Sequence, residues 1–149
     1  MFDERYEKYL NVFNEYAEKY FSALKTTPAI LKESMAYSFL NGGKRIRPVL
    51  TLAVADALSL DFSEALPYAL ATEMIHTYSL IHDDLPAMDN DDFRRGKPSS
   101  HKAFGEGHAV LAGDALLNTA YLVLFDCCFK GEKYVRAARM ICEYAGIDG

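Results

Sequence analysis

The sequence is poor in cysteine, carries no net positive charge and has no apolar segment at its start. Its three cysteines include the adjacent Cys127 and Cys128, a spacing that fits neither a disulfide framework nor a zinc site. We therefore predict free thiols that pack as small apolar side chains in a reducing cytoplasm. The net charge of −5 argues against a general nucleic-acid-binding protein, because affinity for the phosphate backbone depends on basic residues.

Secretion and membrane insertion are not predicted either. The first residues are charged and lack the apolar core of a signal peptide. The longest apolar segment, 109–125, is interrupted by Asp114 and Asn118, so no membrane span is expected. Hydrophobic residues make up 50% of the 149-residue chain, which excludes disorder and is enough to form the core of one domain.

Apolar residues repeat with the period of an α-helix through almost the whole chain, which predicts an all-α bundle. Thr27 and Pro28 open the second helix, Ser63 caps the fourth, and Pro86 ends or kinks it. The segment 89–100 is a polar loop with no hairpin signal. The fifth helix is apolar on nearly every face, which places it in a bundle centre or a subunit interface. The six predicted helices cover residues 6–24, 28–40, 47–58, 63–84, 107–129 and 132–145.

The end of the fourth helix carries three carboxylates, on Asp83, Asp84 and Asp89. Carboxylates at a helix C-terminus oppose the macrodipole, which favours a bound cation over a plain acidic turn, and Mg²⁺ prefers oxygen ligands. Asp89 lies six residues after Asp83, the wrong spacing for one helix face. Two residues near Pro86 must therefore be looped out to bring the carboxylates together. Asp91 and Asp92 are better read as turn or salt-bridge residues.

Basic residues flank this helix on both sides in the sequence. Lys44, Arg45 and Arg47 precede the third helix, where helix N–H groups attract anions, although a solvated basic turn explains them as well. Arg94 and Arg95 either neutralise the carboxylates or bind phosphate.

Histidines and polar residues on the fourth helix add to the candidate site. His76 shares a helix face with Asp83 and is a candidate donor to phosphate. Tyr78 and Ser79 come one turn before the carboxylates, beneath any chain attached to the phosphate. His101 could serve the site or a cap equally well, and His108 is read as structural.

Together these motifs resemble the trans-isoprenyl diphosphate synthases, or polyprenyl synthetases. Asp83 to Asp89 followed by Arg94-Arg95-Gly96 is similar to their first aspartate-rich motif in its long form, and 43–48 to their upstream basic motif. Segments 101–105 and 111–116 match further parts of the family. The resemblance covers most of the chain after about Ala36.

The resemblance implies a prenyltransferase with an isoprenoid-synthase-type bundle, of which 1–149 would be a single all-α domain forming the N-terminal half. Such an enzyme would condense dimethylallyl or geranyl diphosphate with isopentenyl diphosphate after Mg²⁺-assisted ionisation, with Mn²⁺ as the alternative ion. The resemblance also implies a cytoplasmic homodimer without nucleic-acid partners. The implied roles are metal binding by Asp83, Asp84 and Asp89, allylic diphosphate binding by Arg94, isopentenyl diphosphate binding by Lys44, Arg47, His76 and Arg95, and control of product length by Tyr78 and Ser79.

Several alternatives stay open. Tyr78 and the two-residue insertion are similar to bacterial farnesyl diphosphate synthases, but geranylgeranyl diphosphate synthases share the insertion. The family's second aspartate-rich motif is absent from this sequence, so we expect the 149 residues to be inactive alone, and a non-catalytic subunit of the same fold is a second alternative. A third, an HD-type phosphohydrolase, is suggested only by His82-Asp83.

Overall fold

A computed structural model describes residues 2–25 and 28–147, and in them the chain forms seven α-helices and one short hairpin. The prediction of an all-α bundle is therefore confirmed. The helices are α1 (Phe2–Ala23), α2 (Ala29–Phe39), α3 (Ile46–Ala57), α4 (Phe62–Asp83), α5 (Ser100–Phe104), α6 (Glu106–Cys128) and α7 (Glu132–Tyr144). Strands β1 (Phe93–Arg94) and β2 (Lys97–Pro98) pair antiparallel between α4 and α5.

Helix α4 lies at the centre of the bundle and packs most extensively on α6 and α3. Small side chains allow the close approach of α4 and α6, because alanines on both helices are fully buried and add no bulk between the backbones. Larger apolar side chains from α1 and α2, such as Phe13 and Phe39, close the core from the other side. The fully buried alanines are Ala69 and Ala71 on α4 and Ala109, Ala112 and Ala120 on α6.

Gly113 of α6 packs directly against His82 of α4. A Cβ built on this glycine would lie well inside van der Waals contact with the imidazole of His82. The Nε2 atom of His82 lies 3.1 Å from the Val110 carbonyl oxygen and 3.8 Å from the Asp114 carboxylate. A side chain at position 113 would therefore push the ring away from both partners.

We expect Gly113→Ala to lower the free energy of unfolding by about 1–3 kcal/mol, the usual cost of overpacking a tight contact. Gly107→Ala is the matched control on the same helix, since nothing lies within 4 Å of a Cβ there. That control should raise stability by about 0.5–1 kcal/mol, because alanine is the better helix former. Urea unfolding of both variants measures the difference, and equal effects would contradict the proposed contact.

Some predicted boundaries were wrong in detail. Helix α4 begins at Phe62, and its cap is Asp61, whose carboxylate accepts a 2.7 Å hydrogen bond from the Ser63 N–H, so Ser63 is not the cap. Pro28 is the N-cap of α2, while Thr27 lies outside the described residues. Seven helices are present where about six were predicted, because α5 forms inside the segment that follows the polar loop.

The β1–β2 hairpin was not predicted because two-residue strands show no periodicity. Its turn, Arg95-Gly96, has φ of 54° and 77°, and positive φ at both central residues is typical of a type I′ turn. The hydroxyl of Tyr37 donates a 2.8 Å hydrogen bond to the Pro98 carbonyl, and the Ser99 N–H donates one of 2.9 Å to the Asp92 carbonyl. These bonds tie the hairpin to α2 and close its base.

Helix α6 is long and apolar enough to cross a membrane by length and composition alone, with a mean hydropathy of 1.4 in its most apolar window. The core helix of a soluble protein meets the same criterion, and α6 packs against α2, α4, α5 and α7. The absence of a membrane span therefore stays a prediction. The three cysteines are free, as expected, and burial raises the pKa of the Cys127 thiol.

Candidate diphosphate and metal site

The loop after α4 brings Asp89 back to Asp83. The helix ends at Asp83, and the Asp89 N–H donates a 2.8 Å hydrogen bond to the Asp83 carbonyl oxygen, six residues earlier. A second bond, 3.1 Å from the Asn90 N–H to the Leu85 carbonyl, closes the loop around Pro86. The loop predicted from the spacing of the aspartates is thus present. The side chain of Asp83 is half-buried and that of Asp89 is exposed.

Asp84 occupies a different environment from the other two aspartates. It is 2% exposed, and its carboxylate accepts three hydrogen bonds from Arg94: 2.9 and 2.8 Å from Nε, and 2.5 Å from Nη2. These bonds raise the pKa of Arg94 above its usual value. A second carboxylate, Asp91, lies 3.7 Å from Nη2 and is largely exposed. Asp84 therefore faces the hairpin, whereas the sequence alone had grouped it with Asp83 and Asp89.

Arg95 reaches the opposite side, toward the basic turn before α3. Its Nη1 donates a 2.5 Å hydrogen bond to the Gly42 carbonyl. The guanidinium packs directly on Gly43, where a Cβ would lie 2.6–2.9 Å from its atoms, and Gly43 has a φ of 111°. Glycine is required at position 43 by both the backbone conformation and the close approach of Arg95.

These segments enclose a basic cleft of about 420 Å³ between the 43–47 turn, α4 and the hairpin. All the residues that the sequence predicted to bind diphosphates come together on its walls. Burial lowers the pKa of His76, and the positive charge of Arg47 lowers it further. The predicted residues that line the cleft are Lys44, Arg47, His76, Arg94 and Arg95.

A buried ion pair, missed by sequence reasoning, supports this cleft from beneath. Arg45 and Glu73 have side chains that are each 2% exposed, and Nη1 of Arg45 donates a 3.0 Å hydrogen bond to Oε1 of Glu73. Nη2 of Arg45 donates to the Phe39 carbonyl, and its guanidinium lies 5.7 and 5.0 Å from the ring centroids of Phe13 and Phe39. The sequence feature that could have revealed this pair is Glu73, the one charged residue between Glu64 and His76. A carboxylate in an apolar helix needs a partner when it is buried.

A second, mostly apolar groove of about 510 Å³ adjoins the cleft, and Arg47 and His76 line both. It runs between α4 and α7, past Tyr78 and Ser79. The Tyr78 ring packs edge-on against His82, with centroids 5.7 Å apart. A ligand with a charged head and an apolar tail could therefore occupy the two spaces at once. The α7 side of the groove consists of Met140, Ile141, Tyr144 and Ala145.

The carboxylates of Asp83 and Asp89 suit a hard divalent cation whose coordination is completed by a bound ligand. Among the residues that the structure describes, no three His, Cys, Asp or Glu side chains form a metal cluster. Mg²⁺ commonly takes only one or two carboxylates and completes its shell with water and phosphate oxygens. Asp83 and Asp89 can supply the two carboxylates, and the neighbouring basic cleft can supply the site for the phosphates.

The other histidines lie outside the cleft. His101 is buried, and its Nδ1 lies 3.0 Å from the Ser99 hydroxyl beside α5. His108 is exposed, and its Nδ1 lies 3.2 Å from the Phe104 carbonyl oxygen. His82 faces α6 through Val110, an arrangement that does not suit the metal ligand required by the phosphohydrolase alternative.

Comparison with known proteins agrees with this geometry. The sequence profile of the polyprenyl synthetase family matches residues 28–146. The chain belongs to the polyprenyl synthetase family. This identification bears out the resemblance carried by the aspartate-rich and basic motifs, and it sets aside the phosphohydrolase alternative.

Three relatives illustrate the match. The chain is 62% identical over 99 residues to a farnesyl diphosphate synthase of Geobacillus stearothermophilus, covering 66% of this chain and 33% of that protein. It is 62% identical over 126 residues to the large subunit 1 of a chloroplastic heterodimeric geranylgeranyl pyrophosphate synthase of Arabidopsis thaliana, covering 82% and 34%. A solved geranyltransferase of Legionella pneumophila superposes with a TM-score of 0.94 at 37% identity, covering 99% of this chain and 53% of that one. The chain thus spans a third to a half of the length of these relatives.

Proposed function

We propose that the chain forms the half of a short-chain isoprenyl diphosphate synthase that carries the first aspartate-rich motif, and that the enzyme makes farnesyl diphosphate. The observation that carries this proposal is the junction of the basic cleft with the apolar groove at Arg47 and His76. Such a junction fits a substrate with a diphosphate head and a prenyl tail. The relatives named above, a farnesyl diphosphate synthase and a geranyltransferase among them, support the same assignment.

The residues of the site divide the work between head and tail. Asp83 and Asp89 would hold Mg²⁺, or Mn²⁺, which neutralises the leaving diphosphate as its charge develops. Arg94 would bind the allylic diphosphate, and its fixed positive charge stabilises the departing group without reorganisation. Isopentenyl diphosphate would be held for attack on the allylic carbon by Lys44, Arg47, His76 and Arg95.

Tyr78 and Ser79 would limit the length of the product. Both line the groove that receives the tail, and the phenol ring is fixed against His82. A bulky side chain at this position shortens the space available to the growing chain, which favours a farnesyl product. A geranylgeranyl product is the second candidate, favoured by the similarity to the Arabidopsis subunit.

We further propose a homodimer in the cytoplasm. Helix α6 exposes a row of large apolar side chains on the face opposite α4, and such a face suits a subunit interface. Free thiols are typical of a reducing compartment. The exposed residues of this row are Leu122, Phe125 and Phe129.

The decisive experiment is calorimetric titration of the chain with geranyl diphosphate, with and without Mg²⁺. We expect weak binding through the basic cleft without Mg²⁺ and clearly tighter binding with it. Binding of equal strength with and without Mg²⁺, or no binding at all, would overturn the proposal.

Two adjacent glycines provide a sharper test of the basic cleft. Gly43→Ala would force the Arg95 guanidinium out of its place, and losing one charge-assisted hydrogen bond costs about 1.5–3 kcal/mol, or about tenfold or more in affinity for inorganic diphosphate. Gly42→Ala also puts a side chain at a positive φ, 70°, but nothing lies within 4 Å of its Cβ. Only Gly43→Ala should weaken binding in calorimetry, and an equal loss in both variants would count against a role for Arg95.

A further inference from the structure

Asp84 differs from the other two carboxylates in what it can reach. Both of its oxygens accept hydrogen bonds from Arg94, and the residue is 2% exposed. A metal ion bound by Asp83 and Asp89 would have to displace the Arg94 guanidinium before it could also bind the Asp84 carboxylate. The ion would have to offset the loss of the charge-assisted hydrogen bonds that Arg94 donates to this carboxylate.

The geometry of Arg94 shows what the pair achieves. Asp84 engages the Nε and Nη2 edge of the guanidinium, which is planar and has five donors in a fixed fork. Within residues 2–25 and 28–147, no hydrogen bond uses Nη1. Arg94 also lines the basic cleft. One edge of the guanidinium is thus fixed by Asp84, and the other stays available to an anion.

We infer that Asp84 is a positioning residue that fixes Arg94 for a diphosphate, beside the metal site proposed for Asp83 and Asp89. The inference rests on the proposed function, and it changes the role of Asp84 within that site. Fixing the guanidinium in advance removes the entropy cost of immobilising a long side chain when the ligand binds. Arg95 gains the same advantage from the Gly42 carbonyl, so the hairpin presents two pre-oriented arginines.

The first arm of the test measures metal alone. Mn²⁺ binding, followed by the electron paramagnetic resonance signal of the free ion, should weaken about tenfold or more in Asp83→Asn and Asp89→Asn but stay within about threefold of wild type in Asp84→Asn. A loss in Asp84→Asn equal to that in Asp83→Asn would overturn the inference and leave the proposed function standing.

The second arm is a double-mutant cycle with inorganic diphosphate in metal-free buffer. Asp84→Asn should lower the affinity about tenfold when residue 94 is arginine, and by less than about twofold when combined with Arg94→Gln, because Asp84 acts only through Arg94. Additive effects, or an affinity that is unchanged or higher in Asp84→Asn alone, would overturn the inference. Asp91→Asn is the matched control, since it removes a second carboxylate near Nη2 that is exposed, and it should change the affinity less than about twofold.

Two further measurements separate the possible failures. Far-UV circular dichroism checks the fold of each variant. If the amide variant does not fold, Asp84→Glu takes its place: it keeps the charge but shifts the carboxylate by one methylene, for which a cavity of about 30 Å³ beside the pair has room. The affinity should then fall when residue 94 is arginine and stay unchanged when it is glutamine, and additive effects would overturn the inference. A wild-type chain that binds neither Mn²⁺ nor diphosphate would overturn both the inference and the proposed function.

Discussion

Glu73→Ala is expected to lower the free energy of unfolding by about 3–5 kcal/mol, the largest stability loss that we predict for a single side chain. The substitution leaves the Arg45 guanidinium buried, and the carbonyl of Phe39 and two aromatic rings are then its remaining partners. An uncompensated charge in a low-dielectric core is far less stable than a paired one. Urea denaturation monitored by circular dichroism measures the loss directly.

A surface pair on α7 provides the control. Arg139 and Glu143 lie one helical turn apart with atoms 3.9 Å apart, and their side chains are 81% and 52% exposed. Glu143→Ala should change stability by less than about 0.5 kcal/mol. The double variant Arg45→Met, Glu73→Leu should recover most of the lost stability, because replacing both charges removes the unpaired group. A loss in Glu73→Ala no larger than in Glu143→Ala would contradict the role of the pair.

Asp89→Asn is expected to reduce Mg²⁺-dependent binding of geranyl diphosphate about a hundredfold. Changes to groups that merely contact metal ligands already cost about 10–100-fold, so loss of a direct carboxylate ligand should be at least as severe. The side-chain change keeps the backbone bond from the residue 89 N–H to the Asp83 carbonyl, so the loop should keep its shape. Calorimetry in the presence and absence of Mg²⁺ separates the two contributions.

The sign of the metal-free result makes this test specific. Without Mg²⁺, removal of a negative charge beside the cleft should leave binding of the anionic ligand unchanged or slightly stronger. Asp92→Asn is the control in the same acidic run, because Asp92 already pairs with Lys102 at 2.8 Å. That variant should bind like the wild type under both conditions. A similar loss in both variants would mean that general charge in the loop, and no specific ligand, governs binding.

The helices and the aspartate loop could be predicted from local information. A period of 3.6 residues identifies a helix without knowledge of its neighbours, and the six-residue spacing from Asp83 to Asp89 required a looped segment whatever packed against it. The collection of basic residues on one cleft also followed from the motifs. Each of these predictions depends on positions close together in the sequence, or on family resemblance.

The two ion pairs could not be predicted in the same way. Arg45 stands in a run of cations that resembles a surface turn, and Asp84 stands in a run of carboxylates that resembles a metal site. Their partners, Glu73 and Arg94, are 28 and 10 residues away in sequence. Only the packing of α3 and the hairpin on α4 decides which charge of each run turns inward.

The bond between the main chains of residues 89 and 83 has a consequence for how this segment can vary. The separation of the two outer aspartates along the main chain is set by backbone atoms, and residues 86–88 inside the loop are exposed, Met88 being 62% exposed. The side chains at positions 87 and 88 are therefore free to change. The number of residues between the aspartates is not, because one more or one fewer would shift the second carboxylate out of register with the first. In this loop the backbone hydrogen bond therefore constrains the number of residues more tightly than the identity of the exposed ones.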